Sequence, residues 1–258
     1  AELRIVEEQS HVVVDMVRRG ELDTAISIFK GDYPKPFLNQ LVSSQLDMDR
    51  LDYLKRDSFY TGVSEGNINS ERIITMLHVK DDELVIENKG IYSVEKFLVA
   101  RRLMYWQVYL HKTSLAAEQL IIRVLKRAKE LSRKGVELEA SKPLKFFLEN
   151  EISITEFDDD CLETFSRLDN FDVISAMKSW QYHDDFVLSN LCEMIINRQL
   201  LKVKIKKKPF SEDNLVTYIN ALQEKYDITE EEAQYFVFTG QISNQAYTRS
   251  KQNIKILS

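Results

Sequence analysis

From Ser93 to Lys134 the chain runs without a glycine or a proline, and its apolar residues recur at helical spacing. A stretch of that length with no turn residue commits this part of the molecule to helix. Ser93 offers a hydroxyl cap at its start, and Gly135 follows where a left-handed C-terminal stop belongs. The spacing therefore predicts one long helix over 93–134, the spine of the fold. The same economy holds throughout, with 7 Gly and 4 Pro in 258 residues, which disfavours both disorder and turn-rich all-β designs.

Around this spine, periodicity predicts helices over 3–19 and 21–30 and a third from Pro36 that runs on into residues 45–63. "RIITMLHV" and "ELVIEN", separated by "KDD", read as a β-hairpin near 73–87. Shorter helices are expected within 144–198. Beyond them "LLKVKIKKK" alternates strictly, "EDNLVTYINALQEKY" is helical, and "QYFVFTGQISNQAY" and "NIKIL" read as strands. The expected architecture is thus a mainly α body over 1–198 with a hairpin insert, and a small C-terminal α+β lobe over 199–258.

A formal charge of -6 argues against wholesale coating of nucleic acid, so any anion site has to be focused. Cys161 and Cys192 form no CxxC pair, which suggests neither a zinc knuckle nor a disulfide framework and fits a reducing cytoplasm. No apolar run reaches the ~18 residues of a membrane span. The chain opens on Ala1-Glu2-Leu3 and ends within an apparent strand, as an excerpt of a longer protein would.

The densest chemistry lies in "QLDMDRLDYLKRDSFYTGV", residues 45–63, with four aspartates, three basic residues and two tyrosines. On a helix, Asp49, Tyr53, Arg56 and Asp57 share one sector with Asp52 beside it, while Leu51 and Leu54 point towards a core. A polar helix face is by default a solvated one. Such faces usually carry Glu and Lys, however, whereas Asp is a poor helix former and a good oxygen ligand for hard cations. The spine offers a complementary stripe of Arg101, Tyr105, Tyr109 and Lys112.

Together "SSQLDMDRLDYLKRDSFYTGV" and "ARRLMYWQVYLHKT" resemble the downstream half of the HD-domain metal-dependent phosphohydrolases, nearest to the deoxynucleoside-triphosphate triphosphohydrolases, over roughly residues 20–200. The resemblance implies an HD-domain-like helical body and a divalent metal ion (Mg, Mn, Fe, Ni or Zn) with Asp49 as one ligand. It implies phosphate contacts from Arg50, Tyr53 and Arg101, with Lys112 beside them, and sugar contacts from Asp57 and Tyr109. The implied reaction releases deoxynucleoside and triphosphate from a dNTP, and the implied partners are that nucleotide and further copies of the chain.

One departure stands out. The family's first histidine and its His-Asp dyad belong upstream of Asp49, where only His11 occurs, and "QSHVVVD" reads as a packing or surface segment. The acid-base residues of catalysis are accordingly expected upstream of this stretch, which alone should be inactive. A literal His-Asp pair, His183-Asp184, lies too far downstream to serve. His78 and His111 read as structural or supporting. In "LKVKIKKK" the lysines 202, 204 and 206 would line the open face of an edge strand; contact with an effector nucleotide or a single-stranded nucleic acid is the less favoured use. The rival to the enzyme is a non-catalytic nucleotide-sensing or oligomerisation module.

Overall fold

A computed structural model describes residues 19–20, 22–243 and 253–257. They sort into two units, one holding residues 19–111 with 253–257 and the other residues 112–241. The chain is mainly helical with one small three-stranded sheet among the described residues. His11 and the helix expected over 3–19 lie outside those residues.

In the first unit the helices are α1 (Asp23–Lys30), α2 (Pro36–Val42), α3 (Met48–Thr61), α4 (Ser70–Thr75) and α5 (Ile91–Met104). The helix from Pro36 does not run on into the charged motif. It stops at Val42, and Asp47 restarts the chain as the N-cap of α3, its carboxylate accepting the Arg50 amide at 2.8 Å. Short Asp side chains compete with helix for backbone donors, which is why an aspartate-rich stretch begins a new helix rather than extending an old one. Gly62, left-handed at φ 72°, ends it.

The hairpin is tighter than expected. The first four residues of "RIITMLHV", 72–75, belong to the helix Ser70–Thr75, and the strands are β1 (Leu77–Lys80) and β2 (Glu83–Glu87). Asp81 and Asp82, at φ 54° and 57°, form the two-residue turn that matches the twist of antiparallel strands. The expected "NIKIL" strand exists as β3 (Lys255–Leu257), but it joins this hairpin, parallel to β2 with Ile86 opposite Ile256. The core beneath is built by Leu51 and Leu54 of α3, Ile73 of α4, Ile86 of β2, and Phe97, Ala100 and Met104 of α5.

The spine is broken. Helix α5 begins at Ile91 with Gly90 before it, so Ser93 lies inside the helix rather than capping it. After Met104 the backbone widens into a π turn over Tyr105–Tyr109, with the Leu110 amide bonded to the Tyr105 carbonyl at 2.7 Å, and helix resumes only at Lys112. A wider turn needs no glycine or proline, so the composition carries no trace of it.

The second unit contains α6 (Lys112–Arg133), α7 (Lys142–Glu149), α8 (Asp159–Ser166), α9 (Asn170–Trp180), α10 (Phe186–Ile196), α11 (Glu212–Tyr226) and α12 (Glu230–Ala233). Ala116, Leu120, Val124, Ala128 and Leu131 make the buried stripe of α6. Arg127 on the same helix is buried but paired to Asp185 by two bonds of 3.0 and 2.5 Å.

The lobe expected over 199–258 is divided between the units. Residues 199–210 form no strand despite their alternation, because no strand among the described residues of their unit offers a ladder; Lys204 instead donates to the Tyr218 hydroxyl at 2.7 Å. Residues 235–237 continue from α12 in helical turns, the Val237 amide bonding the Ala233 carbonyl, so "QYFVF" is not a strand either.

Gly66 sits where α3 and α5 converge: a Cβ there would lie 2.6 Å from the Met104 sulfur and 2.8 Å from the Ser58 Cβ. Gly66→Ala is expected to lower unfolding free energy by about 1–3 kcal/mol in chemical denaturation, as overpacking does.

Candidate functional site

The four-residue turn between α2 and α3, Ser44-Gln45-Leu46-Asp47, governs two cations. Leu46 is buried in the core and fixes the turn. Asp47, also buried, accepts from the Ser44 and Arg50 amides and forms an ion pair with the Arg50 guanidinium, whose Nη1 also donates to the Ser44 carbonyl at 2.5 Å. Asp47 was not among the residues singled out by the sequence; its position immediately before the helical face was the available signal, since that is where a capping aspartate belongs.

Arg101 has a different environment. It lies on the buried side of α5, only 4% exposed, between Ala100 and Met104. Among the described residues no carboxylate pairs with it. Its Nη1 donates to the Gln45 Oε1 at 3.3 Å, its Nε has no partner, and the Tyr105 ring lies 5.9 Å away. A buried guanidinium normally finds a counter-charge, because leaving it without one is costly. Arg50 is close enough to feel it: burial and then repulsion from Arg101 lower the Arg50 pKa.

Aromatic residues form the next layer. Tyr53 and Tyr109 meet edge to face at 5.9 Å, and Tyr105 meets Tyr109 at 5.4 Å. The Tyr109 hydroxyl donates to the Asp57 carboxylate at 2.6 Å across 52 positions of sequence. Burial first, and then that bond, raise the Tyr109 pKa, so the phenol keeps its proton. The Tyr53 pKa is also raised by burial, while Arg101 and Arg50 pull it down and Asp49 pushes it up.

Asp49 itself, in the first turn of α3, is exposed. Its hard oxygen donors suit a divalent cation, but no group of three His, Cys, Asp or Glu side chains converges among the described residues, so it would supply one ligand of several. Arg56 and Asp52 pair with each other at 2.7 Å on the exposed face of α3. Lys112 opens α6 in the other unit and is exposed.

His183 and His78 have local roles. His183 Nδ1 accepts the Asp185 amide at 2.9 Å while Asp184 is exposed, so this His-Asp pair serves the start of α10. His78 bridges the hairpin to Glu87 at 2.5 Å. A cavity of about 30 Å³ lies beside the site, bounded by Gln40, Gln45 and Leu46 below the sheet. That volume admits one or two waters.

With this geometry in place, the relatives are informative. Residues 68–142 match the HD associated region family. Over 96% of its length the chain is similar to the crystal structure of a phosphohydrolase from Bacteroides thetaiotaomicron, with 54% identity and a TM-score of 0.89, and it covers 62% of that protein. It is 38% identical over 162 residues to YwfO of Bacillus subtilis, spanning 63% of this chain and 36% of YwfO. A Dictyostelium discoideum protein named as a deoxynucleoside triphosphate triphosphohydrolase SAMHD1 homolog is 28% identical over 111 residues, 42% of this chain and 21% of that one. The chain thus carries the HD associated region and is similar to a phosphohydrolase, and it spans less than two thirds of the length of each of these proteins.

A cation held without a counter-charge should weaken the fold that holds it. Replacing Arg101 by Met keeps the bulk and removes the charge, and is expected to raise unfolding free energy by about 1–3 kcal/mol. Thermal and chemical denaturation of the two proteins check this directly; a lower stability for Arg101→Met would show that the guanidinium is compensated.

Proposed function

We propose that the protein of which this chain is part is a metal-dependent phosphohydrolase acting on deoxynucleoside triphosphates and releasing deoxynucleoside and triphosphate. The observation that carries the reading is the buried guanidinium of Arg101, without a carboxylate among the described residues, near Arg50 and linked through the Tyr105 ring to Tyr109, which bonds Asp57. An anion with several charged oxygens is the natural complement of two neighbouring arginines, and a sugar hydroxyl is the complement of an oriented carboxylate. The name of the Dictyostelium relative supports the choice of dNTP within the wider class of phosphate esters.

In this reading Arg101 and Arg50 bind phosphate oxygens and offset the negative charge that builds on the triphosphate as water attacks it. Tyr53 lends its hydroxyl to the same group. Asp57 accepts the 3'-hydroxyl, and Tyr109 holds Asp57 in place while its ring packs against the sugar, where a bare C2' fits more closely than a hydroxylated one. A divalent cation, held through Asp49 and ligands from outside the described residues, would supply Lewis-acid activation of the attacking water. Water adds to the α-phosphorus, the bond to O5' breaks, and a proton passes to the departing deoxynucleoside. The acid-base groups for that transfer lie outside the described residues. Cys161 and Cys192 are buried and unpaired, in keeping with a reducing cytoplasm, and no helix among the described residues is long and apolar enough to cross a membrane.

Full-length protein incubated with each dNTP and Mg²⁺ or Mn²⁺ is expected to yield deoxynucleoside and triphosphate on anion-exchange chromatography. Chelation with EDTA should abolish turnover, and Asp49→Ala should lower it by at least about a thousandfold. Release of phosphate or pyrophosphate instead would remove the triphosphohydrolase reading, and nucleotide binding with no turnover would favour a sensing module.

A further inference from the structure

The turn between α2 and α3 presents two side-chain acceptors to two arginines, and they differ in charge. Asp47 forms an ion pair with Arg50. Gln45 meets Arg101 through a neutral amide oxygen. Because Arg has only donors, this contact fixes which end of the Gln45 amide faces it. The backbone on either side of Gln45 is locked: the Ser44 amide and the Arg50 amide both bond the Asp47 carboxylate, the Leu46 amide bonds the Ser44 hydroxyl at 3.2 Å, and the Leu46 side chain is buried. Gln45 is therefore held at a defined place against a guanidinium that has no other hydrogen bond within the described residues.

We propose that Gln45 is a positioning residue, a neutral acceptor that orients the Arg101 guanidinium while leaving its whole charge available to a phosphate. The proposal rests on Arg101 being a phosphate contact, as argued above. A glutamate at position 45 would have the same reach and would turn the contact into a buried ion pair, satisfying Arg101 from within the protein. An apolar residue of similar length would leave the charge free but the guanidinium unoriented. Position 45 thus separates orientation from charge, which a residue serving only to fill space could not do.

The test is calorimetric titration of the full-length protein with inorganic tripolyphosphate at several salt concentrations, using the wild type and the variants Arg101→Met, Gln45→Glu and Gln45→Met. Gln45→Glu is expected to bind at least about tenfold more weakly, with a shallower salt dependence and an unchanged or higher melting temperature. Gln45→Met is expected to lose only about two- to fivefold while keeping the wild-type salt dependence. Wild-type affinity in Gln45→Glu overturns the proposal, and so does equal weakening of Gln45→Glu and Gln45→Met. Should Gln45→Glu fail to fold, Gln45→Met decides alone: affinity as poor as that of Arg101→Met in a folded protein overturns it. Undiminished binding by Arg101→Met instead removes the phosphate role of Arg101 itself, which is a separate failure from that of Gln45.

Discussion

The arrangement depends on one guanidinium being held in the core with no charge among the described residues to answer it. Position 101 is bound to be buried, because it lies on the inner side of α5 with Val94, Phe97, Ala100 and Met104. Those residues make the core against α3, and their packing offsets the cost of an uncompensated cation. What the fold leaves unsatisfied there is an anion-shaped demand. Its neighbour Arg50 is already answered by Asp47, so the two arginines are not equivalent.

Three segments of one unit bring the site together. The turn at 44–47 sets the guanidinium contacts, α3 places Asp49, Tyr53 and Asp57 on successive turns, and the π turn after α5 presents Tyr105 and Tyr109. The bond between Tyr109 and Asp57 ties the second of these to the third. A site assembled this way is organised before any ligand arrives, since its polar groups are fixed by caps and core packing and need little rearrangement.

The sequence made some of this legible and hid the rest for physical reasons. Asp49, Tyr53 and Asp57 lie four residues apart, so helical periodicity alone puts them on one face, and the lack of Gly and Pro announces the helices. Asp47 and Gln45 escaped because they act in a turn, where contacts follow from capping and not from a period. The break after Met104 escaped because a π turn uses ordinary residues. Alternation misled at 199–210, since a strand needs a partner edge as well as a pattern, and here the parallel partner of β2 comes from residues 255–257 instead. The tempting His183-Asp184 pair shows the limit of short motifs, as its histidine accepts a backbone amide at a helix start.

The most direct test of the whole account is a crystal structure of the full-length protein with a dNTP bearing a sulfur-substituted α-phosphate and a divalent cation. The account predicts phosphate oxygens on Arg101, the cation on Asp49, and the 3'-hydroxyl against Asp57 with Tyr109 along the sugar. A nucleotide bound elsewhere, with the Arg101 guanidinium still enclosed and without an anion, would contradict it.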